Sequence, residues 1–170
     1  MRRLAFIGVL AIIAAIGAGV FFFGGFYNVA GAEEDPGIVN WALVTIRTAS
    51  IARHATDQPP VSLADANVIQ AGARAYLAAG CVNCHGAPGV NWQKFSEGMR
   101  PYPADLKDVA KEATGPQIFF VVKNGIKFTG MPGFASEGVN DQDMWAIAAF
   151  VKKWPDVSEG DYKAWTAAPK

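Results

Sequence analysis

The stretch that does most to define this chain is Cys81-Val82-Asn83-Cys84-His85, which contains both of its cysteines. Cys-x-x-Cys-His is the pattern of covalent haem attachment. Two thiols add to the two vinyl groups of a porphyrin, and two intervening residues let both sulfur atoms reach the same ring edge. The histidine that follows is held beneath the iron, where one imidazole nitrogen ligates the metal. We therefore expect one covalently bound haem c, attached through Cys81 and Cys84, with His85 as a metal ligand.

Three other interpretations of this motif have less support. A zinc site needs about four ligands, and His54 is the only other cysteine or histidine in the chain. A thioredoxin-like cysteine pair expects alternating strands and helices, which this sequence does not predict. A structural disulfide across so short a loop would be strained.

A six-coordinate haem iron needs a second axial ligand, and Met131 is the best candidate in the sequence. It lies in the loop TGMPGF, residues 129–134. Glycine and proline hold such a loop extended and let its backbone approach a flat ring. His54 and Met99 are the alternative ligands, whereas Met144 falls within a predicted helix.

The N-terminal segment is far more apolar than the rest of the chain. Leu4–Tyr27 contains no charged residue and no Asn, Gln, His or Pro. A helix of that length covers about 36 Å, enough to cross a membrane core of about 30 Å. Because Arg2 and Arg3 should stay in the cytoplasm, we predict a single-pass protein of a bacterial inner membrane with a periplasmic haem domain. A cleaved signal peptide is the alternative, since residues 30–32 (AGA) have the form of a cleavage site.

The overall composition excludes several classes of protein. Lysine plus arginine and aspartate plus glutamate balance at 15 each, so the chain lacks the basic excess of a nucleic-acid-binding protein. Hydrophobic residues make up 51% of the sequence, which is too many for a disordered chain. Two cysteines cannot form a disulfide-dense scaffold. A length of 170 residues accommodates one domain with additional segments.

The chain divides into four parts. We predict a membrane anchor or signal peptide at 1–32, a helical linker at 33–61, a haem domain at 62–155 and a polar C-terminal tail at 156–170. In the linker, Asp35 and Pro36 indicate the start of a helix. That helix should end near Thr56, because the two prolines at 59 and 60 cannot continue it.

Capping patterns predict the helices of the haem domain. Residues 62–65 (SLAD) have the form of a capping box, which predicts a helix from about Leu63 to Ala79. Residues 86–116 are rich in glycine and proline and should form loops and short turns. We expect a short helix over 116–123, and a last helix that Asn140 or Asp141 caps and that reaches Trp154. No convincing pair of strands is present, so the predicted fold class is all-α.

With these residues identified, the region from about 62 to 154 resembles the class I c-type cytochromes, which are small monohaem electron carriers. A helix that bears Gly72 and Tyr76 leads into the attachment motif, the Met131 loop follows, and residues 145–150 (WAIAAF) form an aromatic helix at the end. The resemblance implies that the first and last helices of the domain cross closely at Gly72. The apolar N-terminal helix makes the chain similar to the membrane-anchored members, or to the cytochrome subunits of respiratory complexes.

The expected function is one-electron transfer at the periplasmic face of the membrane. A His/Met pair fills both axial positions and raises the reduction potential, because the thioether stabilises Fe(II). We therefore expect an electron-transfer protein, or a subunit of a redox enzyme complex, rather than an enzyme. It should relay electrons between a dehydrogenase or quinol-oxidising complex and an oxidase or reductase. The alternatives are a haem enzyme or gas sensor with an openable axial site, and a structural subunit that binds through residues 1–56.

Loop residues and apolar side chains complete the predicted pocket. Arg100 and Tyr102, with Trp92, are the hydrogen-bond donors we expect for the two haem propionates. Apolar walls disfavour the charge of the ferric state and raise the potential further. The candidates for these walls are Tyr102, Leu106, Ile118, Val122 and Phe134. Lys123 and Lys127 precede the Met131 loop, and we expect them to be solvated surface charges. The alternative is that they steer an acidic partner towards the haem.

Overall fold

The computed structural model describes residues 2–167, and these residues form helices joined by turns and loops. The α-helices are α1 (Arg2–Phe23), α2 (Gly37–His54), α3 (Ala66–Ala78), α4 (Val82–His85), α5 (Leu106–Glu112), α6 (Gly115–Asn124), α7 (Asp141–Lys153) and α8 (Glu159–Thr166). Two 3₁₀ helices cover Lys94–Gly98 and Trp154–Asp156. No strand occurs in the described part of the chain, so the predicted all-α fold class is confirmed. The chain divides into two compact units, residues 1–33 and 34–170.

The first unit contains α1, which is long and apolar enough to cross a membrane by its length and composition. Its 22 residues cover about 33 Å, and none of its side chains is buried against the protein. Such a surface suits a hydrocarbon environment, and among residues 2–167 α1 is the one candidate membrane span.

The core of the second unit forms where α3 crosses α7, the most extensively packed pair of helices. A Cβ atom built on Gly72 would overlap the backbone carbonyl of Ala146, so only glycine allows the two helices to approach this closely. Tyr76 and Phe150 are almost fully buried beside the crossing, with ring centroids 5.3 Å apart. The close crossing at Gly72 that the resemblance implied is confirmed.

The remaining helices pack around this crossing. Phe119 of α6 stacks on Trp145 of α7, with ring centroids 3.9 Å apart and planes inclined by only 4°. In α8, Tyr162 is buried and stacks on Phe150. Lys152 of α7 donates hydrogen bonds to two backbone carbonyls at the end of α5. The helices α5, α6 and α8 are therefore each packed against α3 or α7.

The observed helix boundaries correct two of the sequence predictions. The prediction of a capping box at Ser62 is wrong. The helix α3 begins later, at Ala66, because the Asp65 carboxylate accepts hydrogen bonds from the amides of Asn67 and Val68. The Ser62 hydroxyl accepts from Ala64 instead. Residues 86–116 are also not only loops and turns. Asp105 caps the seven-residue helix α5, which begins at Leu106.

The other predicted helices occur with small shifts. The linker helix, α2, covers Gly37–His54, so it begins one residue later and ends two residues earlier than predicted. The short helix is α6, and the Thr114 side chain caps it in a capping box with Gln117. Asn140 caps α7, as predicted. The C-terminal segment contains α8, which a capping box at Ser158 starts.

Candidate haem site

The attachment motif forms a short helix between two glycines in the left-handed region. Cys81 precedes α4 and is buried, Cys84 is half-buried, and both are free thiols. Gly80 and Gly86, on either side, have φ angles of 76° and 67°. A Cβ atom on Gly86 would also lie only 2.7 Å from the carbonyl oxygen of Val90, so both conformation and space require glycine there. The motif is thus held in one compact turn.

A buried hydrogen bond fixes this turn to α3. The Tyr76 hydroxyl donates to the carbonyl oxygen of Gly86 at 2.6 Å. Burial raises the pKa of Tyr76, so the phenol stays a proton donor. Burial also raises the pKa of the Cys81 thiol to about 12. Both shifts indicate that the Cys81 side of the motif faces an apolar interior.

The imidazole of His85 is oriented by a backbone carbonyl. Its Nδ1 atom lies 2.9 Å from the carbonyl oxygen of Ala104, and since a carbonyl can only accept, Nδ1 carries the proton. The Nε2 atom is then the unprotonated nitrogen, which is the form that ligates a metal. Burial lowers the pKa of His85 and keeps the ring neutral, although the bond to Ala104 opposes this shift. The sequence did not point to Ala104, because every residue has a carbonyl group.

The loop that carries Met131 is held by three internal hydrogen bonds. The Thr129 hydroxyl donates to the carbonyl of Ile126 at 2.8 Å and accepts from the amide of Met131 at 3.1 Å. The amide of Ile126 donates to the carbonyl of Met131 at 3.1 Å. A Cβ atom on Gly125 would meet that same carbonyl. The Met131 side chain is half-buried against the hydrophobic core, so the loop presents its thioether inwards.

Met99 contacts this loop at Gly130. Its methyl group lies against Gly130, where a side chain would overlap it. This contact joins the segment that orients His85 to the segment that carries Met131. The sequence alone does not indicate this contact, because the two residues are far apart in the chain.

Arg100 directly follows Met99 and contacts residues of its own segment. Its guanidinium group is 3.8 Å from the centre of the Tyr102 ring, and its Nη1 atom donates to the carbonyls of Glu97 and Met99, each at 3.0 Å. The Nε atom is buried and has no hydrogen-bond partner among the described residues. A donor that is buried in this way fits an anionic acceptor such as a carboxylate. Trp92, the third donor considered, is about half-exposed.

The predicted apolar wall is mostly buried. Leu106, Ile118, Val122 and Phe134 each expose less than a tenth of their surface and belong to one hydrophobic cluster. Tyr102 is different, because 56% of its surface is exposed. Four of the five candidates therefore belong to the interior of the domain.

His54, one of the alternative ligands, has other contacts. It is exposed at the end of α2, where its Nδ1 atom lies 2.8 Å from the carbonyl of Ser50. Its ring stacks on Phe120 of α6 at a centroid distance of 6.3 Å. In the described residues, no three His, Cys, Asp or Glu side chains are grouped so that they could hold a metal ion.

These residues fit a covalently bound haem. Two free thiols, an imidazole with an unprotonated nitrogen, an inward-facing thioether and an orphaned guanidinium nitrogen are the donor set that such a group requires. The helical fold and this site define a c-type cytochrome.

The sequence model of the family described as "Cytochrome C oxidase, cbb3-type, subunit III" matches residues 67–151, half of the chain, and the chain belongs to this family. The family implies a haem c cofactor and a role in electron transfer. No curated protein and no solved structure gives a significant match.

Proposed function

We propose that this protein carries single electrons through one haem c, attached by Cys81 and Cys84 and ligated by His85 and Met131. The observation that carries the proposal is the hydrogen bond from His85 to Ala104, which presents Nε2 as a metal ligand directly after the two thiols. The inward-facing Met131 side chain supplies the second ligand. The bound haem supplies an iron that takes up and releases one electron.

Residues of the chain would determine the reduction potential of the bound haem. A methionine thioether stabilises Fe(II) and so raises the reduction potential. The buried side chains of Leu106, Ile118, Val122 and Phe134 act in the same direction, because an apolar surrounding disfavours the additional charge of Fe(III). His85 and Met131 together would leave no ligand position on the iron for a substrate, so the chemistry that the haem would supply is one-electron transfer. Arg100 and Tyr102 would hold the propionates.

The cellular role follows from the family and from α1. We propose that α1 anchors the protein in the bacterial inner membrane with Arg2 and Arg3 in the cytoplasm. The haem domain then lies in the periplasm. There it would relay electrons between a dehydrogenase or quinol-oxidising complex and an oxidase or reductase. Membership of the cbb3-type subunit III family supports a place in a respiratory complex.

The ligand assignment is tested by the oxidised absorption spectrum of the full-length protein. Wild type should show a Met–iron charge-transfer band, Met131→Ala should lose it, and Met99→Leu should keep it. A band that persists in Met131→Ala would contradict the assignment. The intact mass should show one haem, and the double variant Cys81→Ala/Cys84→Ala should carry none.

Two further measurements separate the alternative functions. Reduced wild type should not bind carbon monoxide; binding would support a haem enzyme or gas sensor with an openable axial site. Extraction in mild detergent tests whether the protein is a fixed subunit, which should co-purify with its complex. Elution of the protein alone would instead favour an anchored shuttle.

A further inference from the structure

A cleft of about 650 Å³ lies between α2 and the loops of the haem domain. One wall is α2, with Arg47 among its lining residues. The opposite wall is formed by residues 100–102 and 124–129. The matched family region begins at residue 67, so α2 adds a wall that this region does not supply.

The opposite wall consists of the two segments next to the proposed axial ligands. Tyr102 lies two residues before Ala104, which accepts the hydrogen bond from His85. Thr129 accepts the hydrogen bond from the amide of Met131. A haem held by His85 and Met131 would have one edge bordered by these two segments, which line the cleft.

Chemistry indicates which edge this is. The vinyl groups of haem and its two propionates lie on opposite sides of the porphyrin. Attachment through Cys81 and Cys84, which do not line the cleft, directs the carboxylates away from α4. The carboxylate edge is therefore the one expected at the cleft, and it carries two negative charges.

The cationic groups of the cleft match this charge. Arg100 has a buried Nε atom without a partner among the described residues, and Arg47 and Lys127 line the same space. Two acidic residues, Glu34 and Asp35, also line it and compete for these cations. A guanidinium group is suited to carboxylates because its donors form a planar fork.

We propose that Arg47 of α2 is a second cation for the haem carboxylates, opposite Arg100, so that α2 forms part of the haem pocket. This inference rests on the proposed function. A positive charge beside the ring favours the reduced state, since reduction removes one positive charge from the iron. Arg47 therefore raises the reduction potential.

The test is a potentiometric titration of the full-length holoprotein, with Arg47→Gln compared with Arg53→Gln. Both substitutions remove one arginine from α2, but Arg53 is exposed in the last turn and does not line the cleft. At a fixed ambient potential, Arg47→Gln should raise the ratio of oxidised to reduced protein about three- to tenfold above that of wild type. Arg53→Gln should change this ratio much less. Arg47→Lys keeps the positive charge and should therefore give a ratio close to that of wild type.

Equal effects of Arg47→Gln and Arg53→Gln on the reduction potential would overturn the inference. The far-ultraviolet circular dichroism and thermal midpoint of each variant should match wild type, so that detachment of α2 does not imitate the loss of a charge. Covalent haem and the Met–iron band should persist in all three variants. Their absence from wild type would refute the proposed function itself, which keeps the two failures distinguishable.

Discussion

Replacement of Gly72 by alanine tests the helix crossing on which the domain is built. The added methyl group would overlap the carbonyl of Ala146 and approach the Cβ atom of Phe150 to 2.9 Å. Neither the Ala146 carbonyl nor the Phe150 Cβ atom is at the flexible end of a side chain, so α3 and α7 must move apart. Overpacking of this kind costs about 1–3 kcal/mol, and the upper end applies where the backbone is the obstacle. Alanine recovers about 1 kcal/mol of helix propensity, which leaves a net loss of about 2 kcal/mol.

Gly160→Ala is the matched control for this prediction. Gly160 lies in α8, and a Cβ atom built there meets only the Ser158 hydroxyl oxygen at an ordinary contact distance of 3.7 Å. The same substitution therefore gains helix propensity without a clash and should leave stability unchanged or raise it by up to about 1 kcal/mol. The two variants should differ by about 2–3 kcal/mol.

The assay is urea unfolding of the full-length holoprotein in detergent, followed by circular dichroism at 222 nm. Gly72→Ala should lower the midpoint, and a thermal scan should show a decrease of about 4–8 °C in Tm. The slope of the urea transition should stay constant, which shows that stability changed rather than the surface exposed on unfolding. A Gly72→Ala protein as stable as Gly160→Ala would refute the proposed contact between backbone atoms.

Three other substitutions test the packing around the site. Phe119→Ala removes a buried ring from its stack on Trp145 and should cost about 3–5 kcal/mol in urea unfolding. Lys152→Met leaves two carbonyls at the end of α5 without their donor and should cost about 1–3 kcal/mol. Tyr76→Phe tests how the free energy of unfolding depends on pH. Burial raises the pKa of Tyr76 above 10.0, so as the pH rises the Tyr76 hydroxyl loses its proton in the unfolded chain before it does so in the folded protein. Wild-type stability should then fall as the pH rises above about 10, and Tyr76→Phe should flatten that fall.

The two packing predictions have matched controls. Exposed Phe128 should tolerate alanine, and exposed Lys153 should tolerate methionine. If any control matched its buried counterpart, the loss could not be attributed to the contact described.

Much of the fold was predictable because its signals are local. Asn140 caps α7 with its own side chain, and Gly80 adopts the positive φ that ends a helix. Errors arose where two local signals compete. Ser62 and Asp65 both resemble N-caps, and the nearer carboxylate wins because it accepts from two amides. Asp105 caps α5 in the same way, a signal that the surrounding glycines and prolines concealed.

The candidate site shows a different limit. Thiols, an imidazole and a thioether are distinctive side chains, and their spacing indicates their chemistry. The groups that hold them are not distinctive. Ala104 contributes only a carbonyl to His85, and Gly130 contributes only the space that Met99 occupies. Backbone acceptors and vacant volume leave no trace in a sequence, so the support of the proposed ligands appears only in three dimensions.

The position of α2 bears on where the functional domain begins. Its residues were predicted to form a helical linker segment, and the sequence did not indicate what that helix would contact. In the structure, α2 packs on α6 through His54 and Phe120 and lines a cleft with the loops beside both proposed ligands. A charged residue of α2, such as Arg47, therefore lines the same cleft as Arg100. Because electrostatic effects depend on distance and dielectric rather than on domain boundaries, the reduction potential of this cytochrome should depend on residues that precede the family match.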